Sequence, residues 1–136
     1  MAKLDPHDLA RFLIGRLPDA QGTDVETLAR TLALSQRLGQ LRVWCDAEGE
    51  VTGLVAWLRL GAMGIGEAMA QRFSPRLRVN AVLNKDTGPW LFITELATPP
   101  QISGYRIVRA LVKQEKPDYV AGRVGGKFRI RKVRHG

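Results

Sequence analysis

Residues 93–112 read ITELATPPQISGYRIVRALV. A strand-like apolar run ends in Pro99-Pro100, a turn containing Gly104 follows, and a helical pattern opens behind it. Two readings stand. Either the turn only redirects the chain, or the backbone amides at the helix start hold a phosphate. A helix N-terminus offers unpaired N–H groups and roughly half a positive charge from the helix dipole. Glycine lets an anion approach the backbone closely, so strand, glycine turn and helix in this order can cradle a pyrophosphate.

The neighbouring sequence fixes the frame around that turn. Trp90 to Ala97 reads as the strand, and Gly104 to Glu115 as the helix, with Ile107, Val108, Leu111 and Val112 apolar and Pro117-Asp118 as the break. Tyr119 to Val124 and Lys127 to Val133 read as two short strands around Gly125-Gly126. Upstream, Gln40 to Cys45 and Val51 to Leu60 flank Asp46-Ala-Glu-Gly49 and read as a hairpin. The middle of the second run is apolar on both faces, as in a central strand covered on both sides. Trp44, Trp57 and Trp90 all fall in strands and are expected in the core.

Asp5-Pro6 opens a short first helix with Leu9, Phe12, Leu13 and Leu17 at helical spacing. Thr23-Asp-Val-Glu26 fits a capping box for a second helix, which Gly39 would end in a left-handed cap. The glycine cluster Gly61-Ala-Met-Gly-Ile-Gly66 lacks the Gly-Lys-Ser/Thr ending of a phosphate loop. It reads as a loop leading into a short helix over 67–73, with a further strand over 76–83. The order of elements implies one α/β (α+β) domain over 1–136: a mixed, mostly antiparallel sheet with helices on both faces.

Composition narrows the class. Hydrophobic residues make up 45% of the 136, which excludes disorder by composition. No apolar run approaches the ~20 residues of a membrane span, and the start has no apolar signal core, so the expectation is a soluble cytoplasmic protein. Cys45 is the only cysteine. It excludes an internal disulfide and a cysteine-based zinc site, and its place beside Leu41 and Val43 in an alternating run suggests a buried structural thiol. No metal site is expected. The net charge of +8 implies an anionic partner. Lys127 to His135 alternates so that Phe128 and Ile130 share one face, with Arg129, Arg131, Lys132 and Arg134 largely on the other. That run is either a half-buried edge strand protected by cations or an anion-binding patch.

Gln101-Ile-Ser-Gly-Tyr-Arg106 resembles the Gln/Arg-x-x-Gly-x-Gly/Ala signature of the GNAT acyl-CoA transferases, with Arg106 where a small residue is usual. The wider order of motifs, over about 36–136, resembles the toxin-activating lysine acyltransferases, a GNAT-like branch that acylates lysines of RTX toxins from acyl carrier protein. The matching residues are Asp46, Gly49, Gly53 and Trp57; Trp90, Phe92, Ile93 and Ala97; and Pro117, Asp118 and Gly136. That family's catalytic histidine has no counterpart over 18–23, and the only histidines are His7 and His135. His7 is expected at the surface. The family's strand carboxylate aligns with Thr94, and Glu95 adjoins it on the opposite face unless a bulge intervenes.

The resemblance implies a GNAT-like fold and transfer of an acyl group from acyl-CoA or acyl carrier protein to a lysine of a protein acceptor, with no permanently bound cofactor. Glu95 is then the candidate base and Tyr105 the candidate proton donor to the thiol. The donor's phosphates would sit on Gln101, Ile102, Ser103, Gly104, Tyr105 and Arg106, with Arg109 adding charge. Two other readings remain open. One is a catalytically silent module on the same fold, acting through a partner or as a homo-oligomer, as in a phage particle or host takeover. The other is a non-specific nucleic-acid binder using the basic C-terminal strands.

Overall fold

The computed structural model describes residues 4–17, 22–71, 87–124 and 127–134. The strand expected over 76–83 lies outside them. In chain order the elements are α1 (Pro6–Arg16), α2 (Val25–Arg37), β1 (Leu41–Cys45), β2 (Val51–Leu60), α3 (Ala62–Ala70), β3 (Trp90–Ala97), α4 (Gly104–Glu115), β4 (Tyr119–Val124) and β5 (Lys127–Lys132). The five strands form one sheet in chain order. Three of its pairings are antiparallel and β3–β4 is parallel. No helix among the described residues is long and apolar enough to cross a membrane.

β2 is the hub. Its Leu54, Ala56, Leu58 and Leu60 face α1, α2 and α3, while Val55 and Trp57 face α4. All six are at most 2% exposed, as a strand apolar on both faces must be. Phe92 and Ala97 of β3 join the three-helix face, and Leu91, Ile93 and Leu96 join the α4 face. Helices thus cover both faces of the sheet.

Local chemistry sets the helix ends. Asp5 caps α1 by accepting from the His7 N–H at 2.8 Å, with Pro6 at the first helical position. The cap of α2 is Asp24, not Thr23. Its carboxylate accepts from both the N–H and the hydroxyl of Thr27 at 3.2 Å, and an ionised cap gains more from the helix dipole than a hydroxyl does. Gly39 closes α2 at φ +71°, the left-handed cap its sequence position implies.

Three expectations need correcting. The glycine cluster is helical: α3 begins at Ala62, five residues before the expected start. Ile65 and Ala68, one turn apart, are buried against β2 and Phe92. That burial overrides a glycine helix cost of about 1 kcal/mol each. Cys45 is exposed, because the β1–β2 register shifts between Trp44 and Cys45 and the strand ends there. Of the three tryptophans only Trp57 is fully buried. Trp44 and Trp90 are half-buried at the cluster margins, and Trp90 stacks on Tyr119 with ring centroids 4.4 Å apart.

The chain crosses from β3 to α4 over Gly53. A Cβ at Gly53 would stand 2.6 Å from both Cδ and N of Pro99, so only glycine lets the backbone lie this close. From the other face Arg16, at the end of α1, donates to the carbonyls of Thr98 at 2.8 Å and Thr52 at 3.5 Å. The turn is therefore held from both sides. Gly53→Ala should lower unfolding free energy by about 1–3 kcal/mol, the usual range for overpacking, in urea titration; an unchanged midpoint would mean the turn shifts freely.

His7 couples the starts of α1 and α2. Its Nε2 lies 2.8 Å from Glu26 Oε2 and its Nδ1 3.4 Å from Asp5 Oδ1. The hydrogen bond to Glu26, then its charge, raise the His7 pKa above the ordinary 6.5. The protonated form is thus the one the fold favours. The linked stability is complete below pH 6.5 and is lost as pH rises through the raised value. Melting temperature should fall between pH 6 and pH 8 in the parent by more than in His7→Gln, in which this component of the fall is absent.

Candidate functional site

Two features of the sheet meet where β3 ends. The first is a bulge. Ala56 pairs with Glu95, but the next residue, Trp57, pairs with Ile93, leaving Thr94 unopposed. The Thr94 hydroxyl donates to the Ala56 carbonyl at 3.1 Å and ties the extra residue down. The bulge resets the alternation. Ile93 and Leu96 pack toward α4, so Glu95 is turned to the face of its pair partner Ala56, beneath α1–α3. Without the bulge, Glu95 would share the α4 face with Leu91 and Ile93.

Glu95 is 4% exposed and has an interaction partner. The other buried polar residues on this face are Thr31 and Ser35 of α2. Ser35 is fully buried, with its hydroxyl 3.5 Å from the carbonyl of Trp57, the residue after Glu95's pair partner. Thr31, one turn earlier, donates to the Thr27 carbonyl at 3.3 Å. A buried carboxylate within an otherwise apolar face is costly to place, and such groups concentrate where chemistry is done.

The second feature is a parting of strands. β3 and β4 pair from Trp90↔Tyr119 to Ile93↔Gly122 and no further. Yet β3 continues alongside β2 to Ala97, and β4 alongside β5 to Val124. Over Thr94–Ala97 the β4-facing edge of β3 therefore pairs with no strand among the described residues. The opening begins at the bulge, beside Glu95.

α4 starts just beyond. Ile107 and Leu111 are buried in the cluster that holds Val55, Trp57 and Leu91. Ser103 caps the helix, its hydroxyl accepting from the Arg106 N–H at 3.3 Å, and the Ile102 N–H donates to Pro99 O at 3.4 Å. Two of the expected anion-binding amides are thus already used, because the turn satisfies its own donors. The N–H groups of Ser103, Gly104 and Tyr105 have no partner among the described residues. Ile102 packs with the α4 cluster and serves the core. Gln101, Arg106 and Arg109 are exposed. A Cβ at Gly104 would meet Leu96 Cδ2 and Thr98 Cγ2 at 3.4 and 3.5 Å, ordinary contact distances.

Tyr105 is 72% exposed on α4. The sheet separates it from Glu95, so the two expected proton carriers do not meet. Arg129, Arg131, Lys132 and Arg134 are all exposed. Phe128 packs beneath α3 with Phe92, which places Arg129 and Arg131 on the α4 face and Lys132 on the other. Among the described residues no cluster of histidine, cysteine and acidic side chains has the form of a metal site.

Sequence reasoning missed Ser35 and Arg16. Nothing in their local sequence marks them, since each acts through a backbone carbonyl on a distant strand. The bulge had one sequence cue, the placing of a carboxylate one position past the apolar face it would otherwise break.

No family model matches this sequence, and no curated protein does. Among solved structures the chain is similar to a GphF GNAT-like decarboxylase in complex with isobutyryl-CoA, at TM-score 0.54 and 17% identity over 87% of this chain and 60% of that one. It is also similar to a GNAT family N-acetyltransferase (YhbS) from Escherichia coli in complex with CoA, at TM-score 0.41 and 16% identity over 90% and 58% of the two chains. The chain thus spans about three fifths of the length of either structure. At this identity the likeness speaks of architecture: the chain has a GNAT-like α/β fold, with a five-stranded mixed sheet and, among the described residues, four helices.

Proposed function

We propose that the protein binds an acyl thioester in the opening between β3 and β4 and transfers its acyl group to a lysine amine. The observation that carries this reading is the opening itself. The β3–β4 pairing stops at Ile93↔Gly122, beside the bulge that presents Glu95 and ahead of the first turn of α4. The edge of β3 past its last pair with β4 can hydrogen-bond the amides of a pantetheine arm, as a strand would. The N–H groups of Ser103, Gly104 and Tyr105 can receive phosphate, with Arg106 and Arg109 adding charge. Isobutyryl-CoA bound to the similar GphF protein supports the donor class. The donor here is acyl-CoA or an acylated carrier protein.

In this reading Glu95 accepts a proton from the incoming lysine ammonium, directly or through one water. The neutral amine attacks the thioester carbonyl, and the negative charge that develops on its oxygen is met by backbone N–H groups of the β3 edge. The tetrahedral intermediate collapses and the C–S bond breaks; the nitrogen's second proton passes to the departing thiolate, the proton held by Glu95 is released to solvent, and a neutral amide remains. Tyr105, on the far side of the sheet from Glu95, lines the donor's approach. The toxin-activating branch is the reading closest to the order of motifs. Here Glu95 takes over the work its histidine would do.

Two variants test this. Glu95→Gln should lower turnover of an acyl-CoA on a lysine peptide by about 100-fold or more, with donor affinity unchanged by calorimetry. Equal turnover would remove Glu95 as the base. Gly104→Trp should abolish binding of acetyl-CoA, a long-chain acyl-CoA and an acylated carrier protein, whereas Gly104→Ala, which makes only ordinary contacts, should retain it. If none of the three donors binds the parent protein, the turn is only a turn.

A further inference from the structure

The net positive charge is confined to one end of the sequence. Residues 104–136 hold ten lysines and arginines against two acidic residues, which is the whole net charge of +8. Residues 1–103 balance at eleven and eleven. The fold gathers much of this charge on one surface. On α4 and its C-cap, Arg106, Arg109, Lys113 and the cap residue Lys116 recur at intervals of three and four, with the helical three opposite the buried Ile107 and Leu111. They form an exposed row about 15 Å long. On β5, Arg129 and Arg131 pair with Gly122 and Val120 and so point to the same side of the sheet as α4. They stand about 7 Å apart.

None of these six cations has an ion-pair partner among the described residues. The ion pairs formed between two described residues lie at the α1–α2 end. α4 covers β2 and β3 and reaches β4 through Val112, which packs in one cluster with Val120. β5 lies beyond it, as the last of the described strands in the sheet. The result is a step: α4 is the riser, β4 and β5 the tread, and cations line both.

We propose that this step binds the phosphodiester backbone of a nucleic acid, without reading its sequence. The chemistry of the surface selects that occupant. An interface for an acidic protein carries a buried apolar and aromatic centre, and among the described side chains the one strongly exposed apolar group on the step is Tyr105. Exposed Ile130 lies on the opposite face of β5. An anionic membrane would need an apolar face to insert, but the apolar face of α4 is already buried against the sheet. Surfaces that bind nucleic acid are polar and strongly positive, and they spend most of their hydrogen bonds on phosphate. A backbone crossing the step meets the α4 row and the β5 pair together, and Tyr105 offers a ring for one unpaired base.

The test uses the whole protein and fluorescence anisotropy with a labelled single strand and the matching duplex, titrated from low to physiological salt. Six contacts predict a slope of log affinity on log salt of about −5 for the duplex and about −4 for the single strand. Arg129→Gln with Arg131→Gln should weaken binding by about tenfold and reduce the slope by about 2. Arg30→Gln with Arg37→Gln on exposed α2 positions removes the same charge from the opposite face and should change affinity by less than about threefold. Tighter binding of the single strand would assign Tyr105 its stacking role, and equal binding would leave the phosphate contacts as the whole interaction. The proposal fails if neither nucleic acid binds at low salt, if the two double variants weaken binding equally, or if poly-glutamate competes as well as the oligonucleotides at equal charge. The variants spare Glu95 and Gly104, so failure here leaves the thioester reading untouched.

Discussion

Burial of β2 on both its faces is the interaction on which everything else depends. Its six fully covered apolar residues draw α1, α2 and α3 to one side and α4 to the other. A buried leucine contributes about 1.5–3 kcal/mol, so no alternative pairing of this strand competes. β3 then has to lie beside β2 with its own side chains distributed between the same two faces. A carboxylate at Glu95 fits this arrangement only because the bulge at Thr94 turns it toward Ala56. The position of the candidate base is thus a consequence of strand register, and register is a consequence of which residues β2 must hide.

The sheet also acts as a partition. Glu95 lies on the side of the three helices, and the unpaired amides of Ser103 to Tyr105 head a helix on the other. In the proposed reading, the gap where β3 and β4 part connects them, and the thioester threads this gap, with its phosphates outside on the α4 side and its carbonyl delivered to the buried carboxylate. Arg16 and Gly53 hold the crossing segment from opposite sides, so the distance between the two half-sites depends on residues that touch neither.

Much of this was legible in the sequence, and the misses have a common cause. The two-sided apolar character of β2, the hairpin, the bounds of α4 and the mixed sheet all follow from local periodicity and from punctuation by Gly39, Pro117 and the 46–49 loop. α3 was misread because its glycines argue against a helix, and only contact with the sheet decides in its favour. The exposure of Cys45 follows from a register shift that involves the partner strand. Ser103 was expected to offer its surroundings to a phosphate, but its hydroxyl already holds the Arg106 amide. Each of these depends on an atom distant in sequence or on a donor satisfied locally, and neither leaves a periodic trace.

The two ends of α4 are moored very differently. At its C-terminal end three side chains from the sheet take hold. The Trp57 indole donates to the Glu115 carboxylate at 2.8 Å, Arg59 donates to the Glu115 carbonyl at 2.7 Å, and Arg42 donates to Gln114 at 2.8 Å. At the other end a single serine hydroxyl closes the first turn. The helix is therefore a lever with its pivot fixed far from the opening. Local fraying favours the less tethered end of a helix, so the first turn of α4 loosens before its last, while Ile107 and Leu111 stay buried beneath it. In the proposed reading a thioester meets the end of the helix that yields first, while the sheet beneath it stays closed.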